Sequence, residues 1–230
     1  MRWINDFIRL FFPRTCVACG TPLVDGEQHL CTACLLKLPE VQTANDNANF
    51  VERRFMGRIP IRHATALLLF QQKTASQSIL HQIKYNGNEQ LAILMGRQLG
   101  TKIATCGLFD DVDLLVPVPL HPRKERHRGY NQSERLCQGI AQTFPRPIAK
   151  GNLVRTHHTE SQTHKNRIER LENMKDVFAV ADPDALQGKH LLLVDDVITT
   201  GATTEACWAA LSTIKGLSIS IAALAVSGDT

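Results

Sequence analysis

The run His190-Leu-Leu-Leu-Val-Asp195 constrains the fold more than any other part of the chain. Four consecutive apolar residues at strand length leave no face for water, so such a strand is covered on both sides. The next residues, Asp196-Val-Ile-Thr199-Thr200-Gly201-Ala202-Thr203, lead into a helix-like stretch from Thr203 to Ile214. Leu217 to Val226 then reads as a second buried strand. A strand, a helix and a strand in this order form a βαβ unit, and its two strands lie parallel.

The remainder of the chain repeats this alternation. His63 to Phe70 and Leu114 to Leu120 are strand-like, and Ser78 to Tyr85 suits a short helix ended by Gly87. Asn88 is placed to cap a helix whose Leu91, Ala92, Leu94, Met95 and Leu99 recur at helical spacing. Asn131-Gln-Ser-Glu134 has the form of a capping box opening a helix through Leu136, Ile140 and Phe144. The expected fold is α/β, a mainly parallel twisted sheet flanked by helices, with a small N-terminal zinc module.

That module is read from four of the seven cysteines. Cys16-Val-Ala-Cys19 and Cys31-Thr-Ala-Cys34 are two Cys-x-x-Cys turns, each aiming two thiolates at one point. Together they complete a tetrahedral all-sulfur shell for zinc, with no position left open for catalysis. Zinc is therefore expected to fold the module. Cys106, Cys137 and Cys207 lie apart and read as apolar filler. From Pro39 to about Arg54 the chain turns polar, which reads as a linker and divides the chain into residues 1–50 and 51–230.

Composition excludes several classes. With 230 residues, 43% hydrophobic and 21% charged, the chain suits one α/β domain plus an accessory module and not a disordered one. A net charge of +4 permits a phosphate-bearing ligand without arguing for nucleic acid. Trp3, Ile4, Phe7, Ile8, Leu10 and Phe11 fit a short apolar-faced helix stopped by Pro13; packing on its own protein is favoured over an anchor. No run reaches the roughly 18 uncharged residues of a membrane span, and a cytoplasmic protein is expected.

The chemistry concentrates after the Leu191–Val194 strand. In an open α/β sheet, ligands sit beyond the carboxyl ends of the strands. Asp195 and Asp196 stand there, and ionised carboxylates suit vicinal sugar hydroxyls. Thr199, Thr200, Gly201, Ala202 and Thr203 add hydroxyls and backbone amides at a helix N-terminus, a cradle for phosphate. A diol site beside a phosphate cradle describes a ribose 5-phosphate.

Leu-Leu-Leu-Val-Asp-Asp-Val-Ile-Thr-Thr-Gly-Ala-Thr resembles the phosphoribosyl-diphosphate (PRPP) motif of type I phosphoribosyltransferases. The paired Cys-x-x-Cys turns, Ile83-Lys84-Tyr85-Asn-Gly87, Val116-Pro-Val-Pro-Leu-His121 and Arg128-Gly-Tyr-Asn-Gln132 accompany it in the order of the ComF/GntX family. The resemblance covers nearly the whole chain. It implies the type I phosphoribosyltransferase fold with a hood segment over the site.

By that resemblance, Asp195 and Asp196 hold the ribose hydroxyls and Thr199 to Thr203 the 5-phosphate. Arg123 and Lys124, in a basic loop with Arg126 and Arg128, would contact the diphosphate together with Mg²⁺. Lys84, Arg128, Asn131, Gln132 and Arg170 are further candidate site or hood residues, without assigned tasks. The polar stretch from Arg155 to Lys175 reads as a lid or as disorder, and His157, His158 and His164 within it as solvated. Hypoxanthine-type enzymes carry an Asp where this chain has Thr199, which argues against a 6-oxopurine acceptor.

Two functions remain open. One is transfer of a phosphoribosyl group to a nucleobase-like acceptor. The other is a non-catalytic PRPP-binding or single-stranded-DNA-handling role beside competence proteins in DNA uptake, and fold alone cannot choose between them.

Overall fold

The computed structural model describes residues 13–42, 49–156 and 177–228. Among them, four parallel strands form one sheet: β1 (Ala64–Phe70), β2 (Leu114–Pro117), β5 (His190–Ile198) and β6 (Ser218–Ser227), in the order β1-β6-β5-β2. A short antiparallel pair, β3 (Leu153–Arg155) and β4 (Phe178–Val180), lies apart from it. The helices are α1 (Thr32–Leu36), α2 (Phe50–Arg53), α3 (Ala75–Tyr85), α4 (Glu89–Cys106), α5 (Pro122–Arg128), α6 (Gln132–Thr143) and α7 (Ala202–Leu211). The parallel α/β class expected from the sequence is what the chain adopts.

β5 shows why. Leu192 and Val194 join one core with Leu91, Met95, Leu99, Leu136 and Ile140 of α4 and α6. Leu191 and Leu193 join a second core with Val51, Phe55, Phe178, Cys207 and Leu211. Alternate residues thus enter opposite cores, as strand geometry requires. The alternation breaks at Asp195–Asp196, because Val194 and Val197, three residues apart, face the same core. β6 breaks at the same level, where adjacent Leu224 and Ala225 share that core.

The α4–α6 layer is held close by three glycines. A Cβ on Gly96 would run into the Leu136 carbonyl oxygen, one on Gly139 into that of Ile93, and one on Gly100 would stand 2.8 Å from that of Ile140. Bare backbone lets the two helices cross at short range.

Several boundaries differ from expectation. β5 continues three residues past Asp195, because β6 continues beside it and pairs Val197 and Ile198. The expected linker is built into the fold at both ends. The Leu69 amide donates to the Pro39 carbonyl and the Val41 amide to the Leu67 carbonyl, so Pro39–Val41 covers the free edge of β1. Asn49 caps α2 in a full capping box with Glu52. Polar composition concealed both roles, since one uses backbone and the other caps a helix.

At Asn131 the expected capping box is half present. Its side chain accepts from the Ser133 amide, while Glu134 pairs with Lys150 at 2.9 Å. The N-terminal segment before Pro13, the His157–His164 group and Arg170 lie outside the described residues. No helix among the described residues is long and apolar enough to cross a membrane.

Candidate phosphoribosyl site and zinc centre

Cys16, Cys19, Cys31 and Cys34 converge as expected, their sulfurs all within 4.8 Å of one another. The Cys19 and Cys31 sulfurs stand 3.8 Å apart, about the edge of a tetrahedron built with Zn–S bonds of about 2.3 Å. Backbone amides support thiolates: that of Cys31 donates to the Cys16 sulfur at 3.3 Å, and that of Cys34 to the Cys31 sulfur at 3.4 Å. The Thr21 hydroxyl and amide pull the Cys19 thiol down to about 6. Burial and the three surrounding sulfurs push Cys34 well up. Four crowded sulfurs cannot all ionise unaided, and a thiophilic dication relieves that conflict. The donor set fits zinc in a closed, structural site. Cys16, Leu30 and Leu38 also enter the α4–α6 core, so the module is packed on the sheet domain.

Of the other cysteines, Cys137 and Cys207 are buried and Cys106 half-buried. Burial pushes the thiols of Cys137 and Cys207 up, as inert filler requires.

At the sheet's carboxyl edge, Asp195 and Asp196 occupy the point where the β5 alternation breaks. β2 ends at Pro117, its last partner on β5 being Val194, so among the described residues no strand pairs the β2 side of β5 from Asp195 onward. Burial and then the charge of Asp196 push the Asp195 carboxyl up to about 7. The Asp196 amide donates to Asp195 Oδ1 at 2.7 Å. Across the cleft, Lys84 Nζ stands 3.1 Å from Asp196 Oδ1.

β5 then gives way to the turn Thr199-Thr200-Gly201 that opens α7. Gly201 is the N-cap with φ +85°, and a Cβ there would lie 2.8 Å from the Phe55 ring. Only glycine meets both demands. Thr200 Oγ1 accepts weakly from the Ala202 amide at 3.4 Å. The sequence-predicted acids and phosphate turn are thus brought to one edge, with Lys84 beside them.

The basic segment after β2 is a correction. It is the helix α5, not a loop, because Pro122 suits a first helical position and His121 Nδ1 accepts from the Arg123 amide at 3.1 Å. Arg123, Lys124 and Arg126 are exposed on it. Arg128 turns inward, its guanidinium 5.6 Å from the Tyr85 ring centroid and Nη1 donating to Gln132 Oε1 at 2.9 Å.

The tasks of the Arg128–Gln132 string become visible. Tyr130 donates its hydroxyl to the Ile83 carbonyl, next to Lys84. Asn131 Nδ2 donates to the Val118 carbonyl at 3.1 Å while its Oδ1 caps α6. The string ties the ends of α3 and β2 to the start of α6, and so positions Lys84. Arg54 and Arg58, which hold the back of the Thr199–Gly201 turn, carried no sequence signal: about 140 residues separate them from what they touch.

Comparison with known proteins agrees with this layout. A family model described as a double zinc ribbon domain matches residues 7–45. The DNA utilization protein YhgH of Escherichia coli O157:H7 is 30% identical over 193 residues, 82% of this chain and 73% of that protein. Its namesake in Salmonella typhi is 32% identical over 128 residues, 54% of this chain, and there the chain spans only 56% of the relative's length. The competence protein ComFC of Bacillus subtilis is 22% identical over 83% of this chain and 74% of its own. With its four-cysteine ribbon, its parallel sheet and a relative matched over most of both lengths, the chain belongs to the ComF/GntX family.

Proposed function

We propose that this chain binds PRPP and transfers its phosphoribosyl group to a nucleobase-like acceptor. The observation that carries this reading is the union, within nine residues, of an acid pair at the end of β5 and an amide-lined turn opening α7. Asp195 and Asp196 accept the ribose hydroxyls, and Thr199 to Thr203 receive the 5-phosphate. Arg123 and Lys124 on exposed α5 are the chain's own cations for the diphosphate.

Departure of diphosphate from C1 of the ribose leaves oxocarbenium character on the ring. The two carboxylates beside the sugar stabilise that positive charge, while Arg123 and Lys124 balance the negative charge on the leaving group. Mg²⁺, when bound through diphosphate oxygens, supplies further neutralisation of the leaving group. The two aspartates are hard oxygen donors that suit such a cation's surroundings.

The relatives' names favour a second reading, in which the PRPP site serves a DNA-handling protein of competence without turnover. Titration calorimetry with PRPP and Mg²⁺ tests the binding step common to both, and absence of heat overturns it. A screen for diphosphate release with each common nucleobase separates them, since only the transferase releases diphosphate in an acceptor-dependent way.

A further inference from the structure

Two consecutive carbonyls of the phosphate turn are gripped from behind by one short segment. Arg54 donates Nη1 to the Thr199 carbonyl. The same guanidinium donates to the Ser227 hydroxyl at 2.9 Å and to the Ser227 carbonyl at 2.7 Å, which fixes it on the end of β6. Arg58 donates Nη1 to the Thr200 carbonyl at 2.8 Å, and its Nε pairs with Glu205 on α7. Between them, the Phe55 ring lies against Gly201.

The peptide unit turns this into a statement about the opposite side. In a trans peptide the carbonyl and the following N–H point in opposite directions, and no peptide here is cis. Holding the Thr199 and Thr200 carbonyls toward Arg54 and Arg58 therefore aims the Thr200 and Gly201 amides away from them. Among the described residues neither amide donates to a protein acceptor. Two successive unused amides facing one way, at the positive end of a ten-residue helix, make an anion nest.

We propose that Arg54 and Arg58 are positioning residues that set this nest for the phosphate of a ribose 5-phosphate ester. The inference rests on the phosphoribosyl reading of the site and deepens it. A charged donor on a carbonyl polarises its peptide and strengthens the N–H on the far side. The two guanidinium groups also add positive potential behind the phosphate while spending these donors on backbone. The ligand is then held by amides and threonine hydroxyls, with positive charge one peptide plane behind it.

The test uses the full zinc-loaded chain with ribose 5-phosphate and, separately, inorganic phosphate as probes, followed by calorimetry and by amide NMR. In the wild type, both probes shift the Thr200 and Gly201 amide signals. Arg58→Met and Arg54→Met weaken both probes by the same factor, roughly tenfold. Arg58→Lys recovers part of the loss, and Asp195→Asn weakens ribose 5-phosphate alone. Wild-type affinity for ribose 5-phosphate in folded Arg58→Met overturns the inference and leaves the phosphoribosyl reading standing. So does a loss accompanied by amide changes spread throughout β5 and α7, which marks a general structural role. Failure of the wild type to bind either probe overturns both. If Arg54→Met does not fold, Arg58→Met carries the test, because the Arg58 side chain is 41% exposed.

Discussion

Lys84, in the last turn of α3, places its ammonium 3.1 Å from a carboxylate oxygen of Asp196 near the end of β5. Among the described residues it is the cation paired with the acid pair, and Tyr130 fixes the backbone beside it through the Ile83 carbonyl. The acid pair is therefore held in the free protein by an internal counter-ion. A ligand that brings its own cation has to compete with or rearrange that contact.

Affinity for PRPP should depend on pH through Asp195. Its carboxyl stands at about 7, raised by burial and by Asp196, and the ionised form accepts the stronger, charge-assisted hydrogen bonds from ribose hydroxyls. PRPP affinity should therefore rise with pH up to about 7 and fall by roughly tenfold per unit below it. Lys84 holds this value down, so in Lys84→Met the midpoint should move to higher pH. Calorimetry between pH 5.5 and 8.5 reads both effects, and a flat profile in the wild type rejects them.

Stability should show the opposite sign at the same residue. The folded value of Asp195 lies above the roughly 3.9 of an unfolded aspartate, so the folded chain holds the extra proton. Its contribution to stability is undiminished below about pH 4 and declines as pH rises through about 7. Asp195→Asn removes that penalty and should raise the melting temperature by several degrees at pH 8, with little change at about pH 4. Equal shifts at both values contradict the assignment.

Zinc content and its removal separate the two parts of the chain. The closed set of Cys16, Cys19, Cys31 and Cys34 should hold about one zinc per chain. Because the ribbon packs into the α4–α6 core, Cys34→Ser or a chelator should lower the melting temperature of the whole chain, not of the ribbon alone. Metal analysis with calorimetric melting decides the matter, and two independent transitions would speak against the shared core.

What the sequence made legible was local. The four cysteines, the β5 run and the Asp195–Thr203 string each declare themselves within about a dozen residues, because spacing, burial on two faces and helix opening are short-range requirements. Arg54 and Arg58 were hidden, since their partners are backbone carbonyls of a turn far along the chain, and a carbonyl leaves no trace in residue identity. Arg123 to Arg128 read as a loop because the seven residues of α5 are too few to show a helical period, and a histidine cap is an unusual signal. The Gly96–Gly139 contact was invisible for the reason that makes it work: glycine contributes no pattern.

That contact gives its own prediction. Gly139→Ala would drive a methyl group into the Ile93 carbonyl and the Arg97 amide, both backbone and unable to swing aside. The expected cost is about 1–3 kcal/mol of stability. PRPP affinity in the surviving folded fraction should be unchanged, since α4 and α6 meet away from the turn that opens α7. Denaturant unfolding paired with calorimetry checks both halves.

Salt dependence discriminates between the transferase and the DNA-handling reading. Arg123, Lys124 and Arg126 are exposed on α5, whereas Arg128 is turned toward Tyr85 and Gln132. If single-stranded DNA lies on this helix, three cations neutralise phosphates, and log affinity should fall with log salt at a slope of about 2, from about 0.7 per contact. PRPP should then compete if, as proposed, Arg123 and Lys124 serve its diphosphate as well. Replacing those two with Ala should lower affinity for both ligands, while Arg126→Ala should lower it for DNA alone. A steep slope that PRPP leaves unchanged moves the DNA to another surface, and the basic helix is then left to the diphosphate. Binding too weak to measure at about 0.1 M salt, where surface charges are screened beyond about 10 Å, removes the DNA reading and leaves phosphoribosyl transfer in front.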